Sequence, residues 1–405
     1  MLKFRWETEF KETEIGEIPR DWEIRKLGEV VCIKQGKNIL TLKLKDWGYP
    51  VFGANGLIGY TDTYHYEEPQ VLIACRGSTC GIINWSFPKS FVNNNAMALL
   101  PKSIDKKFLY FSMQLNFISG RIDETITGTG QPQITKETLE PFLIIFPPLP
   151  EQSRIATVLS YFDDLIEVKK RQNEILEKTA MAIFKSWFVD FEPFRACPEQ
   201  ERGNCEFVYN EELGKEIPKG WEVSPIEKEF YLIKGRKYEV SDDYFEGYSP
   251  YLLIETFKTG KIEFWTIEKE PQVDENDVVL VADGESSGKV LRYQKGILGS
   301  TLLTLKPKSE NSIELKHLIY LTLKFYEDEI MSHRTGSAIP HLDKDFLKSF
   351  LILLPPPHIL QSFHSLVEPL FQKIILNQKQ IMTLRKIRDT LLPLLVFGKL
   401  RIEEV

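Results

Sequence analysis

The chain has 405 residues, 42% of them hydrophobic and 27% charged, values that exclude a disordered chain and allow two or three domains with their own cores. Its net charge of −7 weighs against a uniformly basic nucleic-acid binder, but the average hides local runs: Gln372 to Arg388 carries Lys373, Lys379, Arg385, Lys386 and Arg388 and no acid. No apolar run nears the roughly 18 residues of a membrane span, and Met1 to Glu7 lacks the apolar core of a signal peptide, so a cytoplasmic location is expected.

Taken in chain order, the sequence repeats itself. Glu17-Ile18-Pro19-Arg20-Asp21-Trp22-Glu23 returns 199 residues later as Glu216-Ile217-Pro218-Lys219-Gly220-Trp221-Glu222. Val71-Leu72-Ile73-Ala74, Thr127-Gly128-Thr129 and Phe146-Pro147-Pro148 return at an offset of 208 as Val279 to Ala282, Thr335-Gly336-Ser337 and Leu354-Pro355-Pro356. A period near 200 is too long for a solenoid unit, so each copy is expected to be a whole domain plus a connector.

Between the Trp blocks and the proline clusters, short β-like runs alternate with Gly and Asn turns. They include Val71 to Ala74, Phe142 to Phe146, Val278 to Val281 and Phe350 to Leu354. One helix is expected in each copy, Lys106 to Ile118 and Leu315 to Tyr326, and the mixture reads as α+β. Cys32, Cys75, Cys80, Cys197 and Cys205 form no CxxC pair, and no His pair completes a metal site with Cys75 and Cys80, so free thiols are expected.

Several loops join glycine to basic, amide or hydroxyl residues: Lys34-Gln35-Gly36-Lys37-Asn38, Arg76-Gly77-Ser78-Thr79 and Thr127-Gly128-Thr129-Gly130-Gln131. Their counterparts are Lys234-Gly235-Arg236-Lys237, Gly284-Glu285-Ser286-Ser287 and Arg334-Thr335-Gly336-Ser337. Exposed backbone amides beside Arg, Lys and Ser suit phosphate contacts, and Gln and Asn can read adenine edges. Each loop alone is equally a turn, but recurrence in both copies points to one kind of ligand for both. The candidate contacts are Lys34, Gln35, Lys37, Asn38, Arg76, Ser78, Thr79, Thr127, Thr129 and Gln131 in the first copy. In the second they are Lys234, Arg236, Lys237, Ser286, Ser287, Lys289, Arg334 and Ser337.

Each copy ends in a heptad-patterned segment. Ile155, Leu159, Phe162, Ile166, Lys169, Asn173, Leu176, Ala180, Ile183 and Trp187 alternate at spacings of four and three, the seam of a coiled coil. The second seam runs Phe363, Val367, Leu370, Ile374, Asn377, Ile381, Leu384, Arg388, Leu391 and Leu395. A helix of this length spans about 50 Å and should act as a spacer. The polar seam residues Lys169, Asn173, Asn377 and Arg388 either fix register or mark a solvated stretch. Pro369 predicts a kink or break. The clusters Pro147 to Pro150 and Pro355 to Pro357 mark where each helix begins.

Catalytic motifs fail one by one. Gly284 to Val290 is one residue short of a P-loop and ends in Val where a magnesium-binding hydroxyl belongs, and Gly128-Thr129-Gly130 lacks the third glycine of a dinucleotide fingerprint. Asp163-Asp164 with Glu167 reads as the solvated face of a helix. Phe146 or Leu354 precedes the proline pairs where an amino-methyltransferase needs a polar side chain, and His65, His333 and His341 have no evident partner. No catalytic residue and no metal site is assigned.

With these residues in view, the whole chain resembles the specificity (S) subunits of Type I restriction-modification enzymes. The resemblance rests on the two Ile-Pro-x-x-Trp openings, on Thr127-Gly128-Thr129-Gly130-Gln131-Pro132-Gln133-Ile134, on Pro147 to Ala156 and on Lys185-Ser186-Trp187-Phe188-Val189-Asp190-Phe191. The second copy departs from it, with Ala338-Ile339-Pro340-His341 for the Gln-rich stretch and His358-Ile359-Leu360 where Glu-Gln is expected. The resemblance implies two similar mixed α/β target recognition domains separated by two long helices packed as an antiparallel, pseudo-twofold coiled coil. The implied boundaries are residues 1–150, recognition domain 1; 151–190, spacer helix 1; 191–214, an acidic linker; 215–356, recognition domain 2; and 357–405, spacer helix 2 with the C-terminal tail. It also implies a non-catalytic subunit without a cofactor of its own that binds a bipartite double-stranded DNA site. Its partners would be two methyltransferase subunits using S-adenosylmethionine and restriction subunits using ATP and magnesium. The reading from another class is a protein-binding adaptor on a coiled-coil ruler.

Overall fold

In the computed structural model of the chain, residues 2–128, 130–195, 206–309, 313–336 and 339–404 are described. Candidate contacts Thr129 and Ser337, together with Cys197 and Cys205, lie outside them. Two compact units emerge: Met1–Leu165 joined by Leu384–Val405, and Ile166–Thr383. No described helix is long and apolar enough to cross a membrane.

The first unit is built on an antiparallel sheet of β1 (Val31–Gln35), β2 (Val71–Ala74), β3 (Ile83–Trp85) and β4 (Ala96–Pro101), in the order β1-β4-β2-β3. All four residues of β2 are buried, which is why that run is continuously apolar rather than alternating. Helix α1 (Lys106–Ile118) begins where Asp105 accepts the Phe108 amide and buries Phe108, Leu109, Phe111 and Met113 in the same core as the sheet. Glu23–Lys26 pairs antiparallel with Leu143–Phe146, so the segment after the Trp block lies beside the one before the proline cluster. The chain then enters α2 (Leu149–Phe184), followed by a π-helical turn at Lys185–Val189.

The second unit repeats this plan. Its sheet of β5 (Phe230–Lys234), β6 (Val278–Val281), β7 (Val290–Leu291) and β8 (Leu302–Pro307) has the order β5-β8-β6-β7. Helix α3 (Ile313–Phe325) covers it, and Glu222–Pro225 pairs with Leu351–Leu354 ahead of α4 (Pro357–Val396). The α4 helix runs unbroken through Pro369, correcting the expected break; Pro369 is exposed, so the lost backbone hydrogen bond faces water. Cys75 and Cys80 are buried free thiols, and burial pushes the pKa of both up from the ordinary thiol value.

Within each unit the heptad seams meet antiparallel. In the first, Ile155 and Leu159 share a core with Leu392 and Leu395, and Arg388 pairs with Asp163 at 2.5 Å. In the second, Lys169 donates to Gln380 at 2.5 Å, Asn377 to Asn173 at 2.8 Å, and the Trp187 ring meets Phe363. The polar seam positions are thus partnered rather than frayed. Every residue of both seams is buried or half-buried, so the stripe that recurs every three or four residues is the face each helix turns inward.

The ends of the chain close on themselves in the first unit. Leu2–Trp6 pairs antiparallel with Leu400–Glu404. Beside this ribbon Arg401 reaches Glu151 at 2.6 Å, Asp21 at 2.8 Å and Glu7 at 2.8 Å, and the buried Trp22 indole donates to Glu151 at 3.0 Å.

Candidate nucleic-acid interface

Each unit gathers its glycine loops at one end of its sheet. In the first, β1 runs out into Gly36, whose backbone passes so close to Asn93 that a Cβ would sit 1.9 Å from its carbonyl oxygen. Gly235 makes the same approach to Gly299, at 2.1 Å, so both openings require glycine at this point. Gln35 then donates to the Asn94 carbonyl at 2.7 Å and lies 3.3 Å from the Cys75 sulfur, tying this loop to Arg76. Bridges from Gln133 to both Arg76 and Thr127 bring in the third loop. Three segments far apart in the sequence thereby form one surface.

The second unit assembles the same way, with different side chains. Bridges run from His341 to Asp283 and Thr335, the positions of Gln133, Arg76 and Thr127 in the first unit. His341 Nδ1 lies 2.8 Å from Asp283, and Lys234 is 2.9 Å from the other oxygen of the same carboxylate. Against the cost of partial burial, Lys234 and His341 hold the Asp283 carboxyl below its ordinary value. Arg334 donates to the Glu285 carbonyl at 2.6 Å, which fixes the loop from Arg334 against the one after Asp283.

Of the expected contacts, Lys34, Gln35, Lys37, Asn38, Arg76, Ser78, Thr127 and Gln131 are exposed in the first unit, and Thr79 is half-buried. Lys234, Arg236, Lys237, Lys289 and Arg334 are exposed in the second, with Ser286 half-buried. Ser287 is a correction: it is fully buried and its hydroxyl faces the interior, so it presents nothing to a ligand. Lys34, Lys37, Arg76, Arg236, Lys237 and Lys289 have no ion pair among the described residues, leaving their charge for an anionic partner.

Sequence reading misses Gln133, His341 and Asp283. The partner of His341 is supplied only by the fold, although pairing the two copies residue by residue at an offset of 208 sets it opposite Gln133. Also missed are two exposed apolar groups that follow the basic loops: Leu40, Leu42 and Trp47 in the first unit, and Tyr244 and Phe245 in the second. Leu42 is 98% exposed, a position that no packing inside the chain explains. The two groups share no sequence pattern, so the repeat could not reveal them.

The chain thus holds two copies of one loop cluster, each on its own mixed α/β sheet and each followed by a long heptad helix. The family model for the Type I restriction modification DNA specificity domain matches it twice, over residues 19–178 and 218–386. The chain is 36% identical to the Type I restriction enzyme MjaIX specificity subunit of Methanocaldococcus jannaschii, over 100% of this chain and 99% of that protein. It is 25% identical to the HindI specificity subunit of Haemophilus influenzae, over 76% and 79%. Its fold is similar to that of the Type I restriction-modification S subunit of M. genitalium, with a TM-score of 0.58 at 20% identity over 93% and 96% of the two chains. This chain belongs to the Type I restriction-modification specificity subunit family. Its role is therefore DNA recognition rather than catalysis.

Proposed function

We propose that each unit's loop cluster reads one half of a bipartite double-stranded DNA target. The two long helices set the half-site separation and carry the docking faces for two methyltransferase subunits and for restriction subunits, which bring S-adenosylmethionine, ATP and magnesium. The boundaries read from the sequence, with residues 1–150 and 215–356 as the recognition domains and 191–214 as their linker, belong to the same proposal. The observation that carries it is the convergence, in both units, of the same three loops at the same end of the same sheet, with unpaired cations around them. Cations supply sequence-independent phosphate contacts, and the differing residues at matched positions, Gln133 with Arg76 against His341 with Asp283, supply two different readings of base edges.

The test is a footprint of the chain bound to its methyltransferase partner. It should cover two half-sites on the order of one DNA turn apart. Arg76→Ala should weaken binding by about 1–3 kcal/mol and loosen discrimination in one half-site, Arg236→Ala in the other. A single continuous footprint, or binding that ignores sequence and lacks steep salt dependence, would overturn this reading in favour of the protein-binding adaptor.

A further inference from the structure

A second cluster of chemistry-bearing side chains lies where α3 meets the first turns of α4. His317 of α3 is fully buried, and His364 and Glu368, both half-buried, stand four residues apart on one face of α4. The two imidazoles approach through their Nδ1 atoms at 3.1 Å, and His317 Nε2 lies 3.1 Å from Glu368 Oε2. This last pair is off the line of a hydrogen bond, so both atoms are buried without a hydrogen-bond partner. Two orphaned polar atoms facing each other in an interior are a costly arrangement that a native structure rarely keeps without a reason.

We propose that His317, His364 and Glu368 form a binding site for one divalent transition-metal ion of the zinc class, which staples α3 to α4. One donor atom from each residue lies within 4.8 Å of the others. Bonds of about 2.0–2.1 Å in tetrahedral geometry need donors roughly 3.4 Å apart. The closure falls to His364 and Glu368, whose half-exposed side chains can turn on the helix surface around the fixed His317. Residues four apart on a helix project from one face, the spacing by which a helix chelates zinc with two side chains. Two imidazoles and one carboxylate are a donor set that zinc takes, with the fourth position left to water on the half-exposed side.

The surroundings carry charge of both signs. Glu368 and Glu177 supply two carboxylates against Arg292, while Lys316 is already engaged by Asp274 and Asp277. A bound ion would satisfy both orphaned atoms at once. The site belongs to one copy only: 208 residues earlier, in the first heptad segment, Ala156 and Ser160 stand where His364 and Glu368 do.

The proposal does not depend on the DNA reading, because its test uses metal alone. The untagged full-length chain, stripped with chelator, is titrated with zinc by calorimetry and with cobalt(II) by absorption. One equivalent per chain, a tetrahedral cobalt spectrum and a melting temperature raised by metal are expected. His364→Ala and Glu368→Gln should each lose more than about a hundredfold in affinity, since even partners behind the ligands cost 10- to 100-fold. Both variants should keep the metal-free melting temperature and circular dichroism of the parent. No uptake by the parent chain, or variants that bind within about tenfold of it, would overturn the site and leave a hydrogen-bonded imidazole pair.

Discussion

In the first unit the opening Trp is held by charge. The Trp22 indole donates to Glu151, and Arg401 clamps that carboxylate together with Asp21 and Glu7, with Glu151 and Glu7 only 3% and 6% exposed. In the second unit Trp221 packs instead against the rings of Phe188, Phe191 and Phe194, with centroids 5.1–5.7 Å away. Ile359 stands where the repeat would place the counterpart of Glu151, so among the described residues no carboxylate accepts from the indole, and the surrounding core is apolar. The departure from Glu-Gln in the second copy is the trace of this exchange. Phe191 even adopts a left-handed backbone, φ 55°, to bring its ring into the stack. One sequence block is thus anchored by two kinds of force, one sensitive to pH and salt and one not.

The largest effects should come from removing each anchor. Arg401→Ala leaves buried carboxylates without a counter-charge and should cost the first unit about 3–5 kcal/mol. Trp221→Ala should cost the second unit a similar amount, about 3–5 kcal/mol, through lost packing. Hydrogen exchange separates them: Arg401→Ala should deprotect the amides of Leu2–Trp6 and leave β6 unchanged, and Trp221→Ala the reverse. Equal deprotection of both units by either variant would erase the distinction.

The helix seams extend the contrast at a smaller scale. Arg388→Met removes a charged hydrogen bond to Asp163 and should cost about 2 kcal/mol, shrinking as salt is raised. Asn377→Ala removes the amide pair with Asn173 and should cost about 1 kcal/mol with no salt dependence. Chemical denaturation at low and high salt measures both, and matching salt responses would argue against the difference in kind.

Acid tests the first anchor without a mutation. Against the cost of burial, Arg401 and the amides of Glu9 and Thr8 pull the Glu7 carboxyl from 4.5 down to about 2, and Arg401 also lowers Asp21. Because these groups are more acidic in the folded chain, their stabilisation is complete above pH 4.5 and fades as the pH falls toward 2. Protection of Leu2–Trp6 should therefore decline over that window while the Trp221 cluster holds. A flat profile would mean that Arg401 contributes little.

Much of the fold is legible in the sequence. The repeat locates both sheets to within one residue: buried central strands are as apolar as Val71 to Ala74 and Val278 to Val281, which the structure matches at an offset of 207 rather than 208, because a uniformly apolar run carries no mark of its own register, and the helix over Lys106–Ile118 follows from its periodicity. The heptads locate both long helices, since a sustained 3.5-residue period keeps one stripe of a helix facing its partner. Less of the interface is legible. Lys34, Arg76 and Arg236 stand out because charge beside glycine is visible locally, but Ser287 misleads because burial depends on neighbours distant in sequence. Pro369 suggests a break because local chemistry forbids a hydrogen bond there, yet the chain bears that loss on an exposed face.

What the sequence determined by itself was periodicity and duplication: two modules, two long helices and the kind of residue at each loop, all carried by neighbours along the chain. What tertiary structure alone decided were pairings between residues far apart, such as Arg401 with Glu151, His341 with Asp283, and His317 with His364 and Glu368. A side chain's chemistry is written in its own position, but its partner is chosen by the fold, and burial turns that choice into free energy.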